Sequence, residues 1–298
     1  NGYVALIKSD KLPDGDLICP GLIDTVNIKW DHLRVPHIQA KNENDLYFMQ
    51  GYIMAFDRLW QMEFQTHAAA GRMSEILGDK ALDFDRFQRR IGMTYGATNT
   101  LNEIQKDKKM YKLLQSFTDG INFYITSLDK SKHPIEYKIL NYEPELWTPL
   151  KTSLLLKSMA WSLTNRTTDL EYTKILNDFG IDVIEELFPI FPYNHEPIVP
   201  LNTNLNFNPL IKYPPDSLYK SKNYKINTSN NQHRSLGSNN WAMSGNRTMS
   251  KSPILSNDPH LNLSLPSIWY LMHLQCPTMN VMGVTIPGAP GIIIGFND

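Results

Sequence analysis

Ser238 stands where a polar stretch of the sequence gives way to a strand-like one. Residues 227–236 show no apolar periodicity, whereas Trp241 and Met243 alternate with smaller residues. We therefore expect an exposed junction directly before a buried strand. If the Gly237–Ser238 bond were cut, Ser238 would carry a nucleophilic hydroxyl and a free α-amine. An N-terminal amine can act as base for its own hydroxyl, so this residue could by itself catalyse acyl transfer.

Two later segments have residue types that suit the same chemistry. The first is Asn257-Asp-Pro-His-Leu261, and the second is Pro287-Gly-Ala-Pro-Gly291, which continues to Asn297. Together with Ser238-Asn-Asn-Trp241, they follow the order and spacing of the penicillin acylase (penicillin amidase) family of N-terminal nucleophile hydrolases. The sequence resembles this family from about residue 12 to residue 298. A simple linker is the alternative interpretation of Gly237-Ser238 taken alone.

The resemblance implies a catalytic mechanism. Ser238 would be the nucleophile, released by autocleavage when its hydroxyl attacks the Gly237 carbonyl. Its α-amine would be the base, because an unperturbed α-amino pKa of about 7.7–8.0 suits proton transfer near neutral pH. His260 would orient the hydroxyl and the amine, and a buried histidine bonded to backbone groups is the alternative. Asn239 and Asn297 would have structural roles near the site.

The resemblance also implies an acyl pocket and a structural calcium ion. The pocket would be lined by Leu163, Arg166, Thr167, Leu261 and Ile294. Leu261 and Ile294 are aliphatic where penicillin G acylases often have aromatic residues, so an aliphatic or mixed acyl group fits as well as a phenylacetyl group. Glu171 would be one calcium ligand, and an ordinary surface carboxylate is the alternative. The reaction itself would need no cofactor.

The family comparison further implies a two-chain zymogen. Residues 1–200 would form a mainly helical α-chain region with an N-terminal hairpin, residues 201–237 a removed or disordered spacer, and residues 238–298 the start of the β-chain. The mature form would be an αβ heterodimer from one precursor, periplasmic or extracellular, as the family's bacterial members mostly are. Members continue well past this point and carry their oxyanion donors there. Because losing one such donor costs ~10²–10³ in turnover, we expect this chain alone to be nearly inactive.

Hydrophobic periodicity predicts the elements that position these residues. It predicts a hairpin over 25–39, helices over 42–78, 107–128, 151–163 and 169–179, and strands over 239–244, 253–257, 267–275, 279–286 and 291–296. The near-continuous apolar character of the strands predicts a sheet covered on both faces. With the resemblance, the expected fold class is α+β, an incomplete αββα N-terminal nucleophile hydrolase sandwich.

The composition does not indicate a highly charged partner. The formal net charge is −1, which favours neither nucleic acid nor an anionic membrane. No apolar run approaches the ~18–20 residues of a membrane helix. Cys19 and Cys276 are far apart and lack metal-ligand spacing, so one disulfide or two buried thiols both fit.

Three function classes follow. The first is an amidohydrolase acting on linear amides, with β-lactam side chains or N-acyl-homoserine lactones as candidate substrates. The second is a non-catalytic binding or structural relative, against which Ser238, Asn239, His260 and Asn297 argue. The third is an unrelated peptidase in which His260 and Asp258 assist a serine, although the G-x-S-x-G elbow is absent.

Overall fold

The structure, a computed structural model, describes residues 15–164, 168–188, 203–204 and 237–297. The helices are α1 (Glu43–Ala70), α2 (Ser74–Leu77), α3 (Leu82–Arg90), α4 (Met93–Ile104), α5 (Lys108–Ser127), α6 (Ile135–Leu140), α7 (Pro149–Thr164), α8 (Thr168–Phe179) and α9 (Ile181–Leu187). The strands are β1 (Asn27–Trp30), β2 (Pro36–Gln39), β3 (Gly237–Met243), β4 (Ile254–His260), β5 (Tyr270–Cys276), β6 (Met279–Thr285) and β7 (Ile294–Asn297).

The chain divides into two units. One combines Asn1–Leu163 with Gly237–Asp298, and the other is Thr164–Leu236. In the second unit, α8 and α9 pack together through Tyr172 and Phe188, whose ring centroids are 4.9 Å apart. The predicted spacer lies almost entirely outside the described residues. Gly237, which the sequence assigned to that spacer, is instead the first residue of β3.

Helix α1 is the centre of the first unit. It begins at the N-cap Asn42, whose side chain accepts the Asp45 amide at 2.9 Å, and ends at Gly71 in the left-handed conformation. The predicted helical region to about residue 78 therefore contains a break at Gly71, after which α2 ends at Gly78. Residues 48–55 of α1 are buried on every side, because the helix lies between the large sheet and α5.

Helix α5 presents its apolar stripe to α1, as the sequence predicts. Leu114, Phe117, Ile121 and Ile125 are buried on that face. The apolar periodicity of the same helix also predicts that Met110 is buried, but it is 54% exposed in the first turn. The first turn of α5 contacts the start of α1 through an ion pair, with Lys109 Nζ 2.9 Å from Glu43 Oε2, rather than through Met110.

The large sheet has five strands in the order β1-β2-β5-β6-β7. Strands β2 and β5 are parallel, and the other pairs are antiparallel. The predicted covering of both faces is not observed in the described residues. Strand β5 alternates between buried Met272 and Leu274, which face α1, and half-buried His273 and Gln275. This alternation is typical of a sheet with one packed and one polar face.

A second sheet consists of β3 and β4. The strand after Ser238 was expected to be buried, and this prediction is wrong for the described residues. Strand β3 is exposed along its whole length, and Trp241 keeps 51% of its surface accessible. A two-stranded ribbon has no layer of its own to bury an apolar face, so alternation in its sequence does not ensure burial.

A cluster of charges joins α1 to the segment before α7. Glu145 accepts two hydrogen bonds from Arg72, at 3.1 and 2.5 Å, and lies 3.1 Å from Lys151 Nζ. Glu63, His67 and Glu145 bring their ligand-type atoms within 4.8 Å of one another. Because Arg72 and Lys151 already neutralise Glu145, we interpret the cluster as an ion-pair network rather than a metal site.

Glu145 makes the stability of the fold pH-dependent. Its pKa is lowered from 4.5 to about 2, mainly by the Arg72 hydrogen bonds and further by Lys151. The folded state therefore binds this proton less readily than the unfolded state, and the stabilisation is complete above about pH 4.5. We expect the free energy of unfolding to fall as the pH drops from about 4.5 to about 2. Urea unfolding at several pH values across this range measures the effect. In Glu145→Gln the free energy of unfolding should depend less steeply on pH than in the parent. Glu103→Gln, at an exposed pair with Lys106, should keep the parent's pH dependence.

The remaining sequence expectations concern thiols and membranes. Cys19 and Cys276 are both free thiols, and burial raises the pKa of Cys19. The alternative of two thiols therefore applies rather than a disulfide. Within the described part of the chain, no helix combines the length and apolar character needed to cross a bilayer.

Candidate active site

The antiparallel pairing of β3 with β4 brings Ser238 next to His260. The register places Gly237 opposite His260 and Ser238 opposite Pro259. One hairpin thus brings together two residues that are 22 positions apart in the sequence. Both strands are exposed here, so the Gly237–Ser238 peptide bond is accessible.

The pleat of the ribbon places the two side chains on opposite faces. Successive side chains alternate in a strand, so Ser238 shares its face with Pro259, and His260 shares the other face with Asp258 and Asn239. His260 Nε2 lies 2.7 Å from Asp258 Oδ2, with 42% of the histidine side chain exposed. The histidine side chain is therefore not buried, and among the described residues its partner is a carboxylate rather than a backbone group. With the bond before Ser238 intact, the serine carries an amide nitrogen, which is not a base.

A tight connection fixes the register of this ribbon. The Thr248 hydroxyl donates to the Ser252 carbonyl at 2.8 Å and to the Gly245 carbonyl at 3.1 Å. A Cβ atom at Gly245 would lie 2.2 Å from the Lys251 carbonyl oxygen, so glycine is required there. The connection therefore determines which residue of β4 lies opposite Ser238.

The predicted pocket residues are distributed over several elements. Leu261 follows β4 directly and donates its N–H to the Pro259 carbonyl at 3.1 Å. Ile294 and Asn297 lie on β7 of the large sheet, opposite Val284 and Val281. The structure thus places Leu261 directly after the strand that pairs with the Ser238 strand, and Ile294 in the other sheet.

Three further predicted residues belong to the α7–α8 region. Leu163, near the end of α7, is 63% exposed. Arg166 and Thr167 lie outside the described residues. Glu171 is an exposed carboxylate on α8. Calcium takes six to eight oxygen ligands, and Glu171 supplies at most two, so it does not by itself form a calcium site.

Sequence reasoning missed the residues that hold the Pro287–Gly291 loop. Gln50, fully buried on α1, accepts the Gly291 N–H at 2.9 Å and donates to the Gly291 carbonyl at 3.1 Å. Thr152 on α7 donates to the Gly288 carbonyl at 3.0 Å and accepts from the Trp147 indole at 3.0 Å. A polar residue inside the otherwise apolar stretch of α1 was the one sequence signal for this anchor.

Comparisons with known proteins identify the family to which the chain is similar. Residues 25–298 match the family model described as penicillin amidase. The chain is 28% identical to an acyl-homoserine lactone acylase of Pseudomonas aeruginosa, over 97% of this chain and 34% of that protein. It is 31% identical to penicillin acylase 2 proenzyme of Pseudomonas sp. (strain SE83), over 93% of this chain and 35% of that protein. The chain therefore spans about a third of the length of the curated relatives it matches.

A solved structure is also similar. It is a thermostable penicillin G acylase from Alcaligenes faecalis, with a TM-score of 0.49 and 22% sequence identity. The similarity covers 61% of this chain and 100% of that chain.

Proposed function

Because the chain belongs to the penicillin amidase family, whose model it matches over residues 25–298, we propose that its parent protein is an amidohydrolase that acts through Ser238. The proposed reaction is hydrolysis of a linear amide through an acyl-enzyme on the serine hydroxyl. The supporting observation is the exposed Gly237–Ser238 bond, paired in register with the strand that carries His260.

Activation would be a self-cleavage. The Ser238 hydroxyl attacks the Gly237 carbonyl carbon, the C–N bond breaks, and an ester forms between the two residues. The hydroxyl proton passes to the departing nitrogen, which becomes the free amine of Ser238. Water then hydrolyses the ester, which leaves a carboxylate on Gly237 and restores the Ser238 hydroxyl. The exposure of both residues is consistent with access of water to this ester.

The mature serine would then attack substrate amides. Its α-amine takes the hydroxyl proton, through one water, and returns it to the leaving amine. The acyl group stays on the serine oxygen until water releases it as an acid. Both products of activation, the α-chain and the β-chain, would remain together as a heterodimer outside the cytoplasm, and Glu171 would contribute to a calcium site with ligands from elsewhere.

The acyl pocket would accept aliphatic or mixed groups. Leu261 and Ile294 offer aliphatic surface and no aromatic ring. The relatives named as penicillin acylase and as acyl-homoserine lactone acylase are both consistent with such a pocket. N-acyl-homoserine lactones and β-lactam amides are therefore the substrates to compare.

The test combines mass analysis with a substrate series. We expect the intact mass and the N-terminal sequence of the complete protein to show a new terminus at Ser238. We then expect turnover of p-nitroanilides, or of N-acyl-homoserine lactones, that depends on acyl length. A protein that is cut but turns over none of these amides would contradict the proposed activity, and an uncut inert one would favour a binding module.

His260 is expected to influence how strongly the hydroxyl and the α-amine of Ser238 bind a proton. We expect His260→Ala to lower kcat/KM by ~10²-fold or more and to displace its pH profile, as for a group that assists proton transfer. Asp258→Asn, which removes the charge beside the histidine, should have a smaller effect on the same profile. Unchanged kinetics in His260→Ala would leave the histidine with a structural role only.

The His260–Asp258 contact supports a second candidate function. A histidine 2.7 Å from a carboxylate is the base arrangement of serine peptidases. In that case the serine would need no free amine, and the uncut protein would be active. The opposite faces of Ser238 and His260 argue against this function, because a peptidase histidine must take the hydroxyl proton directly. In the proposed mechanism the α-amine takes that proton instead.

A further inference from the structure

Two histidines of the large sheet face each other through their Nδ1 atoms. His37 on β2 and His273 on β5 are direct partners in the parallel register, and their Nδ1 atoms lie 3.0 Å apart. The rings are nearly perpendicular, with an interplanar angle of 84°. Both line an open pocket of about 330 Å³ on the polar face of the sheet. The acyl-transfer chemistry described above does not use this pair.

The second nitrogen of each ring faces an oxygen atom. His273 Nε2 lies 2.7 Å from Asn280 Oδ1, and His37 Nε2 lies 3.7 Å from Asp31 Oδ2. Asp31 is itself held in place, because its Oδ1 accepts the Val35 amide at 2.9 Å. The Asn280 oxygen, within hydrogen-bond distance, favours the His273 tautomer that carries its proton on Nε2, which leaves a lone pair on Nδ1 of that ring. The Asp31 carboxylate is at ion-pair distance from His37 and is too far away to accept a hydrogen bond from it. This lone pair of His273 lies 3.0 Å from His37 Nδ1, so the two nitrogens share either a proton or a metal ion.

We propose that His37 and His273 bind a divalent transition-metal ion through their Nδ1 atoms. Imidazole nitrogen suits zinc, nickel and copper ions. With metal–nitrogen bonds of about 2.0–2.1 Å, the observed separation corresponds to an angle of about 94° at the metal. Metal-bound histidines usually donate their other N–H to an oxygen acceptor, and Asn280 occupies this position for His273 at 2.7 Å. The Asp31 carboxylate lies beside His37 Nε2 at 3.7 Å. Water from the open pocket completes the coordination.

The metal would join two distant parts of the chain. His37 precedes the Gly237–Ser238 bond and His273 follows it, and 236 residues separate them. After cleavage, the two ligands would therefore lie on separate chains, bridged by the ion. This consequence rests on the proposed function, whereas metal binding itself does not. An uncut Ser238→Ala chain should bind the ion as well as the parent does.

The test is calorimetric titration of Zn²⁺ and Ni²⁺ into the full chain without a histidine tag, at neutral pH. We expect one equivalent to bind, and His37→Ala or His273→Ala to abolish this binding. His32→Asn is the matched control, because His32 lies exposed in the turn before β2 and outside the pair. Ca²⁺ should not bind to the pair, since it prefers oxygen ligands.

Two variants keep both histidines, so that a change in metal binding is not explained by a ligand substitution that prevents folding. Asn280→Ser removes the oxygen that orients His273 and should weaken metal binding by about tenfold or more. Lys29→Gln removes a positive charge directly opposite His37 and should strengthen binding. The proposal is overturned if the parent chain binds neither ion, if binding survives in the His37→Ala, His273→Ala double variant, or if Asn280→Ser and Lys29→Gln both bind as the parent does. A proton shared by the pair would then account for the geometry.

Discussion

Ser238→Ala is expected to give a chain that stays in one piece. The substitution removes the only atom of this residue that can attack the Gly237 carbonyl, while the strand pairing with Pro259 is kept by backbone groups. We expect no new N-terminus at position 238, and amide turnover lower by ~10⁴-fold or more in the complete protein, because nucleophile and base are lost together. Intact mass and N-terminal sequencing measure the first effect, and initial rates on a p-nitroanilide measure the second.

Two matched variants separate the chemistry from the fold. Ser238→Cys keeps a nucleophile at the same position and should still cleave, at a changed rate. Ser244→Ala alters an exposed serine just after the same strand and should cleave as the parent does. Cleavage at the same bond in purified Ser238→Ala would show that another protease makes the cut. Full activity in a chain with an uncut Ser238 would overturn the mechanism.

Gly120→Ala is expected to destabilise the protein, although alanine favours helices by about 1 kcal/mol over glycine. Gly120 lies in the middle of α5, against the backbone of α1. A Cβ atom at this position would lie 1.8 Å from the Phe48 carbonyl oxygen, and one at Gly51 would lie 2.1 Å from the Phe117 carbonyl oxygen. Backbone atoms cannot rotate away as side chains do. We expect a loss of about 3 kcal/mol or more in the free energy of unfolding, at the upper end for overpacking.

The control for this prediction is Gly96→Ala in α4. A Cβ atom there would meet only the flexible end of Lys157, at 3.9 Å. We expect this variant to gain about 0.4–1 kcal/mol, through the reduced freedom of the unfolded chain. Urea unfolding followed by circular dichroism measures both. Equal changes in the two variants would mean that helix propensity, and not the α1–α5 contact, decides the effect.

The helices were accessible to sequence reasoning because their signals are local. The Asn42 cap, the apolar stripe of α5 and the glycine end of α2 depend on neighbours within a few turns. The break at Gly71 was not predicted, because the apolar pattern continues across it. The motifs around Ser238 and His260 likewise indicated one reaction, acyl transfer, and membership of the penicillin amidase family agrees with that interpretation. The roles assigned to these two residues stay predictions until the variants are measured.

The burial of the strands could not be predicted from local sequence. Strand β3 has an alternating sequence and is exposed, whereas β5 alternates and is half buried, since burial depends on which layer packs against each strand. The sequence equally gave no reason to connect Gln50 with Gly291, or His37 with His273.

The sequence by itself indicated candidate reactive residues and four helical regions, because nucleophiles, caps and periodic apolar faces are properties of short stretches of chain. It did not predict α3, α4, α6 and α9. Only the tertiary structure decided that Ser238 and His260 share a ribbon but not a face, that two glycines set the distance between α1 and α5, and that two histidines meet across β2 and β5. Each of these relations joins residues distant in the chain, and its geometry is set by strand register and close packing, which no local pattern encodes.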